Sequence, residues 1–186
     1  MSEWVAALTR GLAEEFGEDR PRVCTLATVD KSGAPRARSV ICRKVGEDGS
    51  VWFLIDGRSE KAEHLKAVPQ AEVVFWLPTV REQFRLSGMV KVVAAGPDDP
   101  IRLDLWRALA DATRATFFWP SPGAKRIDDA DEFAREAPAT VPPPPNFHVL
   151  VLRPRRVEQL QLTPHPHRRR RWMLAGNWSV AAEVNP

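Results

Sequence analysis

A mainly β fold (α+β), a barrel with helices on its periphery, is the class this sequence predicts, and three observations carry it. Short runs rich in β-branched and aromatic residues recur along the chain, with turn signals between them. Helical patterns are few and sit outside those runs rather than alternating with each one. The 186 residues, free of internal repeats, suffice for one domain over 1–186 with a substantial core.

Residues 2–17 read as an amphipathic helix, because Trp4, Val5, Leu8, Leu12 and Phe16 recur at spacings of three or four behind Ser2 at the N-cap position. Val23–Val29 reads as a strand, Asp30-Lys31-Ser32-Gly33 as a turn, and 35–45 as a second strand. Gly46-Glu47-Asp48-Gly49 leads into a third at 50–56, which completes an antiparallel meander. A short helix over 59–67 stops near Pro69, and strands follow at 71–77 and 82–93, the latter containing Gly88. Pro97-Asp98-Asp99-Pro100 opens a helix through Ile101, Leu105, Trp106 and Leu109. The aromatic run Phe117-Phe118-Trp119 breaks on Pro120 and Pro122. A short helical piece is expected around 129–136, then a Pro-rich loop over 137–146. Phe147–Leu152 and Arg156–Leu162 read as one interrupted strand, and 168–186 as a C-terminal hairpin across Gly176. The total is six to eight strands and three helices.

Composition narrows the function classes. Hydrophobic residues at 44% and charged residues at 27% are ordinary for a soluble domain. A net charge of +3 argues against polyanion binding by the whole surface and leaves room for local basic patches. No apolar run approaches the roughly 20 residues that span a bilayer, and Ser2-Glu3-Trp4 does not read as a secretory signal, so a cytoplasmic location is expected. Cys24 and Cys42 lack CxxC spacing and sit in apolar runs, as reduced structural cysteines do. His165 and His167 have no carboxylate or cysteine cluster beside them, so no metal site is expected. Asp98-Asp99 and Asp128-Asp129 fall where acidic residues cap helices, and no P-loop or nucleophile elbow is present. The absence of tyrosine removes that side chain from every catalytic role.

The most informative stretch is Arg38-Ser39-Val40-Ile41-Cys42-Arg43, followed by Val51 through Lys61. Two strands carry cations at their ends, so Arg38, Arg43, Arg58 and Lys61 are candidates to converge on one small polyanion. The residues alone leave solvated strand ends as the other reading. Arg168-Arg169-Arg170-Arg171 beside Trp172 invites nucleic-acid binding, but alternation puts only two of the four on one face. That geometry suits Arg169 and Arg171 pointing into a cleft, with Arg168 and Arg170 solvated or at an interface.

Arg38-Ser-Val-Ile-Cys-Arg43, Phe53-Leu-Ile-Asp-Gly-Arg-Ser-Glu-Lys61, Arg81-Glu-Gln83 and the closing Asn177-Trp178 to Pro186 occur in an order that resembles the pyridoxamine 5′-phosphate oxidase family over about residues 20–186. The resemblance implies an FMN-binding split β-barrel, a homodimer with FMN at the subunit interface, and hydride transfer with a small-molecule substrate. It implies FMN contacts at Arg38, Ser39, Val40, Ile41, Cys42, Arg43, Leu54, Ile55, Arg58, Ser59, Lys61 and Gln83, with Arg171 from the partner subunit. Leu54 and Ile55 replace a Tyr-Thr pair, which leaves only backbone contacts there, and Glu60 reverses a charge at a phosphate-contacting position. The partner's Gln-Ser pair and Trp of the family fall near Pro122-Gly123-Ala124 and on Leu160. The family's substrate grip falls on Trp106, Ala110 and Arg114, and its Arg-x-His pair on His167 and Arg169. With most of those types changed, vitamin B6 oxidation itself is not expected, while His167 and Arg169 remain the substrate-side candidates. The competing readings are a non-catalytic flavin carrier and a basic nucleic-acid-binding barrel.

Overall fold

The computed structural model describes residues 1–18, 20–94, 96, 98–133, 136–163 and 165–186. Pro97 and residues 134–135 of the expected helical piece lie outside the described residues. Helix α1 (Glu3–Phe16) precedes a meander of β1 (Arg22–Val29), β2 (Pro35–Val45) and β3 (Val51–Asp56). Helix α2 (Glu60–Ala67), strands β4 (Gln70–Leu77) and β5 (Glu82–Ala94), and helices α3 (Pro100–Arg107) and α4 (Asp111–Ala115) follow. Strands β6 (Phe147–Gln161), β7 (Arg168–Ala175), β8 (Asn177–Trp178) and β9 (Ala182–Val184) end the chain.

The hydrogen-bonded order β3-β2-β1-β4-β5-β6 closes on itself through β3–β6, which makes a six-stranded barrel. Closure removes the sheet edges that an open meander would leave exposed. The two pieces expected at 147–162 are one strand, and the apparent break is a bulge. Ser87 pairs Arg156 but Gly88 pairs Pro154, so Arg155 is the extra residue. A proline with no N–H to donate is tolerated at such a site. The first half of β6 closes the barrel against β3, and its second half, from Arg156, carries β7. The expected C-terminal hairpin forms across Gly176 (φ 81°), and β9 returns to pair β7.

Alternation along the strands fills the barrel with Leu26, Phe53, Val73, Phe75, Phe84, Leu86, Leu152 and Val157. The buried face of α1, with Trp4, Leu8 and Leu12, joins this core. Ser2 occupies the N-cap position as expected, without a side-chain capping bond. A second cluster of Trp106, Leu109, Phe117, Phe147 and Val149 packs α3 and its neighbours outside the barrel. Asp99 caps α3 by accepting from the Ile101 and Arg102 N–H groups at 2.9 and 3.2 Å. Arg102 is buried and donates to the Phe147, Pro143 and Pro144 carbonyls, which ties the four-proline run to the second cluster. No helix among the described residues is long and apolar enough to cross a membrane.

The β5–β6 bulge depends on close backbone approach. A Cβ at Gly88 would overlap the Arg153 carbonyl oxygen and stand 2.7 Å from Pro154 Cα. Gly88→Ala is expected to destabilise the fold by about 1–3 kcal/mol. A lower urea midpoint at unchanged m-value checks this, and an unchanged midpoint contradicts it.

Candidate functional site

Strands β2 and β3 do not pair along their whole length. Their ladder runs from Val45↔Val51 to Cys42↔Phe53, with an irregularity between Cys42 and Lys44, and ends there. Beyond it, Pro35 to Ile41 pair only β1, and Leu54 to Asp56 pair only β6. The barrel wall is split at this point. Along the free edge of β2, alternate backbone N–H and C=O groups point away from β1.

Arg38 stands beside this split, on the inward face with Val40 and Cys42. Its Nη1 donates to the Leu26 carbonyl at 3.1 Å and to Thr28 Oγ1 at 2.7 Å. Lys61, in the first turn of α2, is its electrostatic neighbour. Burial, then the positive charge of Arg38, push the Lys61 ammonium below its ordinary value. Burial likewise lowers Arg38, against the opposing pull of Glu60. Two half-buried cations side by side favour an anion between them. The N–H groups of Glu60 and Lys61 meet no acceptor among the described residues and add the positive end of the helix dipole.

The four cations expected to converge do not all do so. Arg43 lies five residues along β2 from Arg38, about 16 Å at strand spacing, and on the opposite face. It lines a separate groove with Glu18, Arg20, Arg22 and Ile41, and its buried Nε has no partner among the described residues. Arg58 is held by Asp56, with Nη2–Oδ2 at 2.6 Å, and also donates to the Phe117 carbonyl at 3.3 Å. Burial pushes the Asp56 carboxyl up, but the bonds from Arg58 outweigh this and hold it below its ordinary value. Ser59 Oγ donates to the Asp56 carbonyl at 2.6 Å, so that hydroxyl is engaged as well. Ile55 points into the core and Leu54 is half-buried. Ser39 and Ile41 face outward, and burial pushes the Cys42 thiol up to about 12.

Gln83 stands on the outer face of β5, opposite Trp76 of β4 and Leu160 of β6. Leu160 in turn faces Arg169 on β7. Gln83, Arg85, Glu158, Leu160 and Arg169 line a pocket of about 120 Å³. Its centre is Glu158, whose carboxylate accepts from Arg169 at 2.7 Å and Arg171 at 2.9 Å and pairs Arg156 at 2.5 Å. Burial raises the Glu158 pKa, but those arginines outweigh it and bring the carboxyl down to about 2. Arg169 and Arg171 share a face as expected. Arg170, expected to be solvated or interfacial, binds Glu3 at 2.6 Å and Gln159 at 2.6 Å, because alternation turns it onto α1. His167 is half-buried and its ring lies 4.8 Å from that of His165.

Two of the residues on which the resemblance puts the substrate grip, Trp106 and Arg114, serve the fold. Trp106 is buried and donates to the Val141 carbonyl at 2.6 Å. Arg114, also buried, donates to the Ala137 carbonyl at 2.7 Å, to the Trp106 and Leu109 carbonyls, and to Asp111. Thr28, His64, Asp56 and Glu158 all shape the site, and the sequence reading missed them. The signals available were positional: Thr28 continues the inward series Cys24, Leu26, and Glu158 is the lone acid between arginines on two strands.

Glu158 generates a pH test. Its folded pKa lies below the ordinary 4.5, so its contribution is fully present above about pH 4.5 and is lost as pH falls towards 2. Urea midpoints of the wild type are expected to fall across that window by the equivalent of about 3 kcal/mol. Glu158→Gln starts lower and loses this component of the slope. Equal slopes in the two proteins contradict the account.

The comparisons agree with this architecture. The family model described as pyridoxamine 5′-phosphate oxidase, FMN-binding domain, matches residues 1–94. The pyridoxine/pyridoxamine 5′-phosphate oxidase of Rhodococcus jostii is 32% identical over 180 residues, covering 90% of this chain and 78% of that protein. A pyridoxamine 5′-phosphate oxidase-related, FMN-binding protein of Nostoc punctiforme superposes with a TM-score of 0.91 at 32% identity, over 100% of this chain and 99% of that one. PhzG of Burkholderia lata, solved with tetrahydrophenazine-1-carboxylic acid, shares the fold at a TM-score of 0.83 and 21% identity, over 100% and 94% of the two chains. With its closed barrel, its split β2–β3 wall and these relatives, the chain belongs to the pyridoxamine 5′-phosphate oxidase-like family of FMN-binding split barrels.

Proposed function

We propose that this chain is a homodimeric flavin-dependent oxidoreductase that holds FMN in the β2–β3 split at the subunit interface. Its substrate is a small molecule other than a vitamin B6 phosphate. The observation that carries this reading is the free β2 edge with Arg38, Lys61 and two unpaired helix N–H groups at its end. These residues fit a phosphate monoester. Arg38 and Lys61 would neutralise it, and the N–H groups of α2 would complete its shell. The backbone of Ser39 to Ile41 and of Leu54 and Ile55 would flank the rest of the cofactor. Arg43, within the stretch of β2 that pairs β3 and on the opposite face, would not join this phosphate site. Bound FMN supplies the capacity to accept or donate a hydride, so the protein needs to bind, orient and exclude water rather than provide a catalytic triad.

The outer sheet face supports the dimer. Val23 and Ile41 face each other across β1–β2 and are 45% and 37% exposed, while Trp76, beside Gln83, is 48% exposed. In a dimer through this face, Gln83 of one protomer and Arg171 of its partner would meet the flavin, with Arg169 and His167 on the substrate side. Trp106 and Arg114 are already committed to backbone carbonyls, which supports a substrate gripped differently from the B6 phosphates. That same commitment favours the carrier reading as the alternative. Nucleic-acid binding loses its basis, since Arg168, Arg169, Arg170 and Arg171 each pair a glutamate of the same chain.

The purified chain is expected to take up FMN with flavin absorption bands and to oxidise a reduced nicotinamide in steady state, with oxygen as the electron acceptor. Uptake without turnover would leave a carrier, and a protein that takes up no added FMN would overturn both readings. Arg38→Ala is expected to weaken FMN binding roughly ten- to a hundredfold, measured by flavin fluorescence titration. Trp76→Glu is expected to shift the sedimenting species from dimer to monomer and to release FMN with it. A dimer that persists with full FMN affinity would place the interface elsewhere.

A further inference from the structure

The guanidinium of Arg38 has two edges on which a bidentate acceptor can sit, and the structure distinguishes them. The end-on edge, formed by Nη1 and Nη2, faces the buried pair Thr28 and His64. Nη1 donates to Thr28 Oγ1 at 2.7 Å, and Nη2 reaches His64 Nδ1 at 3.5 Å. Thr28 Oγ1 and His64 Nδ1 are themselves 3.1 Å apart, and the two residues are 2% and 9% exposed. The remaining Nη1 hydrogen goes to the Leu26 carbonyl. A guanidinium only donates, so in its contact with Arg38 Nδ1 is the acceptor, the arrangement offered by the neutral tautomer with its proton on Nε2. The Thr28 hydroxyl accepts from Arg38 and has two acceptors in reach of its own proton, the same Nδ1 at 3.1 Å and the Arg36 carbonyl at 3.5 Å.

The side-on edge, Nε and the outer hydrogen of Nη2, meets no acceptor among the described residues. On the proposed reading of the site, this is the edge offered to the phosphate. We infer that His64 is a positioning residue: with Thr28 it fills the end-on edge of Arg38 and thereby presents the Nε–Nη2 fork to the phosphate of the cofactor. Nothing in the first turn of α2 does this. Glu60 and Lys61 lie near Arg38 electrostatically without bonding to it, and Arg36, its neighbour on β2, is drawn off to Asp30 at 2.9 Å. His64 reaches Arg38 because it lies one helical turn beyond Glu60, on the buried face of α2.

The inference rests on the FMN reading, so its test compares FMN with riboflavin, which lacks only the phosphate. Dissociation constants of both flavins are measured by fluorescence titration for the full chain and for four variants. His64→Leu is expected to weaken FMN about tenfold while riboflavin changes little, because only the phosphate contact is misdirected. His64→Asn, whose amide oxygen takes the place of Nδ1, is expected to recover most of the loss. Thr28→Val tests the same edge from β1, should His64→Leu fail to fold, and is expected to lower the FMN-to-riboflavin preference likewise. Equal losses for both flavins, or no rescue by asparagine, would overturn the positioning role. Arg38→Ala separates the two levels: if it leaves the preference intact, the site reading itself fails, and if it abolishes the preference while His64→Leu does not, only this inference fails.

Discussion

The separation of β2 from β3 beyond the Cys42–Phe53 pair is the constraint on which the rest of the site depends. Strand β3 is fully paired on its other side, where Val51 to Asp56 match Leu152 to Phe147 of β6 without a slip. It therefore follows β6, while β2 follows β1 through eight consecutive pairs. The two ladders diverge, and the barrel closes with a slot in its wall. A free β edge needs partners for its backbone groups, so the slot is both a liability and a binding surface. Helix α2 begins at its end and brings Lys61 and His64 against Arg38.

The charges of the chain divide along the same line. Most arginines near the candidate site are consumed by the fold. Arg102 and Arg114 bond backbone carbonyls in the second cluster, Arg58 holds Asp56, and Arg156, Arg169 and Arg171 hold Glu158. Removing such a partner leaves a buried charge uncompensated, which makes these pairs girders of the fold. Arg38 and Arg43, by contrast, keep donors without acceptors among the described residues. They lie on opposite faces of β2 and line separate sites, so they do not converge on a single phosphate.

Much of this architecture is legible in the sequence. Inward alternation in β1, β3, β4 and β5 locates the barrel strands, and turn residues place the meander, because local pattern and final burial coincide there. Strand β6 reads as interrupted because Pro154 breaks its local pattern, whereas the bulge at Arg155 absorbs the proline within one strand. Short α4 carries too few residues to show a period. At the site, Arg38 and Lys61 are legible as cations at element ends. The pairing of Arg58 with Asp56 and the distance between Arg38 and Arg43 are not, since both follow from which face of a strand meets which neighbour. The roles of Thr28, His64 and Glu158 depend on contacts across separate elements, which no local pattern records.

The central claim is that the split between β2 and β3 is the flavin site, and a crystal structure of the chain grown with FMN tests it most directly. The phosphate is expected within hydrogen-bond distance of Arg38 Nε and Nη2 and of Lys61, with the ring running along the free edge of β2 towards a second copy of the chain. A structure with FMN bound elsewhere, or with the slot filled by protein and Arg38 turned away from any phosphate, would contradict it.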